Sequence, residues 1–480
     1  YYIQDLRPDG DGIDTLRDVD ALRFANKSID IEAYYFESEP LVDQADYISG
    51  TESNDILDGK TGDDTIIGLG GNDKLLGGNG NDSIDGGLGA DEISGEDGND
   101  ILQGGDGDDI LRGGLGDDTI YTGLGADSVD AGEGNNRVFT QSYGPYGSSG
   151  AFTTGSGDDY FEISPANSTG WWGYAAINAG DGFNVITVNG NAYQITTGKD
   201  ADTILVNGYV QFGIFAGAGS DSITVTGNGQ VDQNIYLGDD DDYFNAESKV
   251  VNSNRTWQLS LGAGSGNDTI KGSQGKDGIY AQEGNDSIQS FGGDDQIDFG
   301  GGDNIVYAGA GNDYVYGTSG YGNAAGANLI YAGADNDTVL GTLGADTIYG
   351  DSGNDILNGD ANSDLIHGGS GDDLIFGFKT TSKDDNVLAV DTASYSGLST
   401  DYKISRIYDA IFGYTYYIQD LRPDGDGIDT LRDIDDVRFS DFTTSVEDYW
   451  NQFQYGSSGD DLIIGLAGRD FLLGLGGNDN

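Results

Sequence analysis

Cysteine and methionine are both absent from this chain, and histidine occurs once, at His367. Without cysteine there is neither a disulfide framework nor a thiolate metal site. A single histidine rules out a zinc helix of the HExxH kind, and no GxSxG nucleophile elbow occurs. Basic residues are scarce: 21 Lys+Arg stand against 83 Asp+Glu, a formal charge of −62. Neutralising phosphates takes clustered Lys and Arg, so no nucleic acid is expected as a partner, and the same charge argues against an anionic membrane. No apolar run approaches the roughly 18 residues of a spanning helix, so direct membrane insertion is not expected either. With only 36% hydrophobic residues, the chain falls near the disordered class unless something cancels its self-repulsion.

What is abundant is glycine, 83 residues, and aspartate, and the two recur in fixed phase. Residues 50–139 divide into ten nonapeptides without insertion or deletion. Aspartate holds the sixth position in nine: Asp55, Asp64, Asp73, Asp82, Asp91, Asp100, Asp109, Asp118 and Asp127, with Asn136 in the tenth. Two places later comes an aliphatic residue, from Leu57 and Ile66 through Val129 and Val138. The unit is GGxGxDxUx, where U is a large aliphatic. Glycine permits positive φ and close backbone approach, so six residues can curl around an ion. The aspartate supplies a hard oxygen to that curl, and periodic carboxylates would be neutralised by bound hard cations. The xUx segment reads as a short strand with its central side chain inward. The expected fold is all-β: a parallel β-roll (β-solenoid) of about sixteen coils, roughly 75 to 80 Å long at the spacing of neighbouring strands. Its core would be one side chain thick, so folding and metal binding are expected to be one event.

The phase loosens over 140–262. Remnants there place Asp159, Asn184, Asp202, Asp221 and Asp242 at the sixth position, at spacings of 25, 18, 19 and 21. One coil is two nonapeptides, so these read as coils that keep one motif turn and replace the other with loops. The strict period returns with Asp268, Asp277, Asp286, Asp295, Asn304 and Asp313. A 24-residue step carrying an insertion at 317–328 follows, then Asp337, Asp346, Asp355, Asp364 and Asp373. A second repeat has a longer period: residues 1–24 recur at 416–439 with three differences, an offset of 415. The expected organisation is a partial spacer and connector (1–49), a regular roll (50–139) and an irregular middle section (140–262). A second regular roll (263–378), a β-rich spacer unit (379–455) and the start of a further array (456–480) with Asp461 and Asp470 complete it.

These nonapeptides resemble those of the RTX (repeats in toxin) family, the β-rolls of secreted bacterial proteases, lipases, cytolysins and adhesins, and 379–455 resembles the β-rich element that follows such arrays. The resemblance implies multiple Ca²⁺ ions, each between turns 18 residues apart and held by sixth-position carboxylates and backbone carbonyls. Asp64 and Asp82 would share one site, Asp73 and Asp91 the next. Asn136, Asn184 and Asn304 depart from the pattern, which puts sites there in doubt. The resemblance also implies one-step (type I) export to the cell exterior, where calcium at about 10⁻⁴–10⁻³ M matches extracellular modules.

No enzyme is expected in this chain. His367 sits at an outward ninth position, and the Asp239–Asp242 run reads more simply as an elaborated calcium turn than as catalytic carboxylates. Trp171, Trp172 and the many tyrosines leave a cell-surface polysaccharide open as a partner, though lateral contacts are the blander reading. The favoured function is a calcium-dependent extracellular structural protein that self-associates into an S-layer, sheath or filament. The alternative is the repeat region of a large adhesin, or the accessory module of a secreted enzyme or toxin.

Overall fold

The structure, a computed structural model, describes residues 2–4, 13–15, 21–23, 28–30, 45–141, 151–165, 175–247, 259–317, 325–377, 390–409, 413–423, 425 and 427–455. Asp461 and Asp470, the pair Trp171-Trp172 and the array at 456–480 lie outside those residues.

The xUx segments form strands, and every second one joins the same sheet. Glu92–Asp97 pairs in parallel with Ile110–Leu115 at an offset of one coil, Ile93 opposite Leu111. Thr65–Ile67 does the same with Ser83–Leu88, Ile66 opposite Ile84. Two parallel sheets face each other, and their eighth-position side chains fill the space between. Ile66, Leu75, Ile84, Ile93, Leu102, Leu111 and Ile120 are all inaccessible to solvent. Fully burying such a side chain contributes about 1.5–3 kcal/mol. That file of aliphatics, with first-position residues such as Ala131, Phe299, Ala308 and Ala332, makes the core of the regular arrays. The roll begins earlier than the strict nonapeptide pattern, because Tyr47–Ser49 already pairs with Thr65–Ile67.

Glycine at the fourth position is dictated by the coil below. Gly80 has φ 135°, and a Cβ there would press into the carbonyl of Gly62 one coil earlier. The second position is more tolerant: Lys60, Leu69 and Glu96 hold φ of 76–78° with full side chains.

The middle section is thicker. Val185–Val188, Thr203–Val206 and Ser222–Val225 each bury two residues instead of one, Ile186 with Val188, Ile204 with Val206, and Ile223 with Val225. The facing sheet adds a further buried row, Ala192, Val210 and Val231, through parallel pairs outside the main register. β-Branched residues suit such strands, since their stiff side chains pack against neighbours on a pleated surface.

The spacer continues the roll. Ile428–Arg432 lies parallel to Leu374–Phe376, and Asp436–Arg438 lies parallel to Thr392–Ser394, so both sheets are extended. Antiparallel strands then turn away: Tyr402–Asp409 with Gly413–Asp420, and Thr443–Ser445 beside Asp436–Arg438. A helix, Val446–Tyr455, packs on this hairpin. Its Tyr449 hydroxyl donates to the Ser399 carbonyl at 2.6 Å, and its ring meets Phe439. Arg406 lies between the rings of Tyr414 and Trp450 and pairs with Glu447 at 2.7 Å. The copy at 1–24 pairs in the same registers: Tyr2 opposite Thr15 matches Tyr417 opposite Thr430. Leu22 opposite Ile29 likewise matches Val437 opposite Thr444.

Candidate metal centre

Along both edges sixth-position aspartates fold back toward the preceding coil. Asp82 Oδ1 accepts the Asp64 backbone N–H at 2.7 Å, and Asp91 Oδ1 accepts that of Asp73 at 2.8 Å. Repetition turns these bonds into two ladders, one on each edge of the roll. On the first edge the rungs are Asp55, Asp73, Asp91, Asp109 and Asp127. After the middle section this edge resumes with Asp277, Asp295, Asp313, Asp337, Asp355 and Asp373. The second edge never breaks. It begins at Asp46 and runs through Asp64, Asp82, Asp100, Asp118 and Asn136. It crosses the middle at Asp159, Asn184, Asp202, Asp221, Asp242 and Asp268. It continues through Asp286, Asn304, Asn328, Asp346 and Asp364 to Asp391. The coils of the middle section therefore keep one motif turn apiece, on this edge.

The other carboxylate oxygen defines the site. Oδ2 of Asp73, Asp82, Asp91, Asp100, Asp109, Asp118, Asp221, Asp242, Asp286, Asp295, Asp313, Asp337, Asp355 and Asp364 is buried and accepts no hydrogen bond. Beside Asp82 it faces Gly77, where an added Cβ would meet both that oxygen and the Gly95 carbonyl of the next coil. Carboxylate and carbonyl oxygens thus converge on one spot with no donor between them. An acceptor buried without a partner costs about 1–3 kcal/mol, more when charged. A hard cation with oxygen ligands reconciles them, and calcium takes 6–8 such ligands. The donor set fits. Among the described residues no three His, Cys, Asp or Glu side chains converge. A cation in these turns therefore relies heavily on backbone carbonyls.

Burial pushes these carboxyls above their ordinary range, helped by the like charge of neighbouring rungs. Asp295 rises to about 9, Asp242 and Asp364 to about 8, and Asp109, Asp118, Asp286 and Asp313 to about 7.

Three of the expected ligands are closed by the chain itself. The Thr51 backbone N–H and hydroxyl donate to Asp55 Oδ2 at 2.6 and 2.9 Å. The Ser273 N–H donates to Asp277 Oδ2 and its hydroxyl to Oδ1, at 2.6 and 2.7 Å. The Thr342 N–H donates to Asp346 Oδ2 at 2.7 Å. In all three a hydroxyl residue replaces glycine at the second position.

Sequence reasoning missed four rungs. Asp46 and Asn328 lie where the strict period had not begun or had been interrupted. Asp391 and Asp429 lie in the spacer, and Asp429 Oδ1 accepts the Asp373 N–H at 3.2 Å. The signal available for them was an Asp or Asn two places before an inward residue: Ile48, Ile330, Ala393 and Leu431. A further ladder at the fifth position was also missed. Asn81 Oδ1 accepts from Asn99 N–H at 2.9 Å, and Asn99 Oδ1 accepts from Asp117 N–H at 2.8 Å. Fifth-position groups reach forward one coil and sixth-position groups reach back.

The outer surface carries an aromatic stack. Tyr307, Tyr331, Tyr349 and His367 lie ring on ring at 4.9, 4.7 and 4.5 Å, within 7° of parallel. Successive coils set that spacing, so the rings cover one another's faces and present edges outward.

A parallel roll whose edges are ladders of buried carboxylates and convergent carbonyls is a calcium-binding β-roll. Residues 43–75, 67–102, 76–111, 103–138, 263–288, 272–306, 289–322, 324–348, 349–377 and 455–480 match the RTX calcium-binding nonapeptide repeat. The chain belongs to that repeat family, and its arrays bind multiple Ca²⁺ ions. No curated relative matches the chain. None of the helices among the described residues is long and apolar enough to cross a membrane.

Proposed function

We propose that this protein is a secreted structural rod, exported by a type I route, that folds on meeting extracellular calcium and assembles with copies of itself into a layer, sheath or filament. The observation that carries this reading is the unbroken ladder from Asp46 to Asp391, which ties two arrays, the middle section and the spacer into one continuous body. A rod of that kind transmits load along its axis and becomes rigid only when its carboxylates are neutralised. The duplicated spacer, with matching strand registers in both copies, supports a tandem design. We assign the chain no catalytic role. Its histidine is stacked on Tyr349, and burial lowers its pKa. Nor is polysaccharide binding favoured by the tyrosine stack, because sugar stacking needs open ring faces and these rings cover one another.

The test is a calcium titration of the metal-free chain, with circular dichroism and light scattering followed together. Gain of β-signal near millimolar calcium with growth into ordered particles supports the structural subunit. The same transition at monomer size rejects self-assembly and favours an adhesin or accessory module.

A further inference from the structure

The second-edge ladder contains four asparagines among its aspartates. Asparagine and aspartate are nearly the same shape, and here they make the same backbone bond. Asn136 Oδ1 accepts the Asp118 N–H at 2.9 Å, and Asn184 Oδ1 accepts the Asp159 N–H at 3.1 Å. Their nitrogens therefore stand where the second carboxylate oxygen stands in an aspartate rung. That nitrogen is fully used. Asn136 Nδ2 donates to the Gly132 and Gly134 carbonyls at 3.3 and 3.1 Å. Asn184 Nδ2 donates to Gly180 and Gly182 at the same two distances. Asn304 Nδ2 donates to Gly302 at 3.2 Å, and Asn328 Nδ2 donates to Gly326 at 3.1 Å. Those carbonyls belong to the second and fourth positions of the rung's own turn. An aspartate oxygen among them repels, so a cation is needed. An amide N–H₂ is a donor, so none is.

We propose that Asn136, Asn184, Asn304 and Asn328 are metal-free rungs, in which the side-chain amide nitrogen does the cation's work of bridging oxygens, two carbonyls of the turn at Asn136 and Asn184, and one turn carbonyl with the next rung's Oδ1 at Asn304 and Asn328. Asn136 adjoins the thick middle section and Asn184 lies within it, while Asn304 and Asn328 are consecutive rungs joined by a bond from Asn304 Nδ2 to Asn328 Oδ1 at 3.1 Å. Asn328 Nδ2 extends that link to Asp346 Oδ1 at 2.8 Å. The roll thus has fixed points that hold without calcium. Adding the ion closes the aspartate rungs between them. The proposal rests on the aspartate rungs being calcium sites.

The experiment counts calcium per chain by native mass spectrometry at saturating calcium, in the wild type, Asn184→Asp and Asn304→Asp. It is paired with the far-ultraviolet circular dichroism of each protein in chelator. Each aspartate variant is expected to take up at least one additional ion and to lose residual β-signal in chelator. An unchanged ion count in both variants would overturn the proposal, as would unchanged or increased β-signal in chelator. Asn184→Ala serves as the control: it should lose residual β-signal in chelator without gaining an ion, and a gained ion would also count against the proposal. If one aspartate variant fails to fold with calcium, the other decides. Absence of calcium from the wild type itself would instead refute the reading of the aspartate rungs, a separate and recognisable failure.

Discussion

Removing calcium at neutral pH leaves a row of buried carboxylates to be either charged without a partner or protonated, and the structure says how that choice depends on pH. Asp109, Asp118, Asp286, Asp313, Asp337 and Asp355 are raised by burial from 3.8 to about 7. A pKa difference of three units is at most roughly 4 kcal/mol for one group, and because neighbouring rungs share part of each shift, the row together is of the order of the roughly 5–15 kcal/mol that keeps a domain folded. The folded roll binds these protons more tightly than the unfolded chain does. Below 3.8 both states are protonated and there is no difference. As pH rises from 3.8 through about 7 the folded state loses stability, and Asp242, Asp364 and Asp295 extend that loss to about 8 and 9. The metal-free chain is therefore expected to be largely unfolded at pH 8 and to regain β-structure progressively as pH falls toward about 4, with no calcium present. Far-ultraviolet circular dichroism in chelator measures this, with light scattering to exclude precipitation near the pI of about 4.1. Salt separates buried from surface charge, since about 0.5 M NaCl screens exposed repulsion but not a buried carboxylate. A chelated chain that stays folded at pH 8, or that refolds equally well in salt, would refute the argument.

Asp82→Asn is expected to lower the calcium count and to raise residual structure in chelator, since the amide can donate where the carboxylate cannot; native mass spectrometry checks the count. Gly80→Ala drives a methyl into the Gly62 carbonyl at φ 135°, and should cost about 1–3 kcal/mol of stability in calcium, read as a fall in Tm. Glu447→Gln removes the carboxylate that receives Arg406 at 2.7 Å, loosening the helix from the spacer hairpin. The expected loss is about 1 kcal/mol with an unchanged calcium count, because this contact is partly exposed and lies outside the ladders.

Much of the regular roll was legible because each coil repeats one solution. Aspartate at position six with an aliphatic at position eight marked Asp64 through Asp127 and the file of residues from Ile66 to Val129, since a side-chain period of two and a coil of 18 fix which residues face inward. The loosened middle was legible as single-motif coils from the spacings of Asp159 to Asp242. The rungs the sequence hid are those where the chain distance between coils changes. Asp373 meets Asp429 across 56 residues, and Asp364 meets Asp391 across 27, so no fixed period points to either. The helix at Val446–Tyr455 and its seat on the hairpin were likewise not visible, because Ser399, Tyr402 and Arg406, whose contacts hold it, lie some 41 to 50 residues earlier in the chain.

Local chemistry determined the turn, the strand, the ligand class and the direction of each side chain, because glycine sterics and the alternation of a strand act within nine residues. Tertiary structure decided what happens between coils. It showed that one edge is continuous and the other broken, that Asp364 meets Asp391 and Asp373 meets Asp429 across unequal lengths of chain, and that fifth- and sixth-position groups reach in opposite directions between coils. Those outcomes depend on which donors and acceptors one coil offers the next, a relation set by stacking in space and not by spacing in sequence.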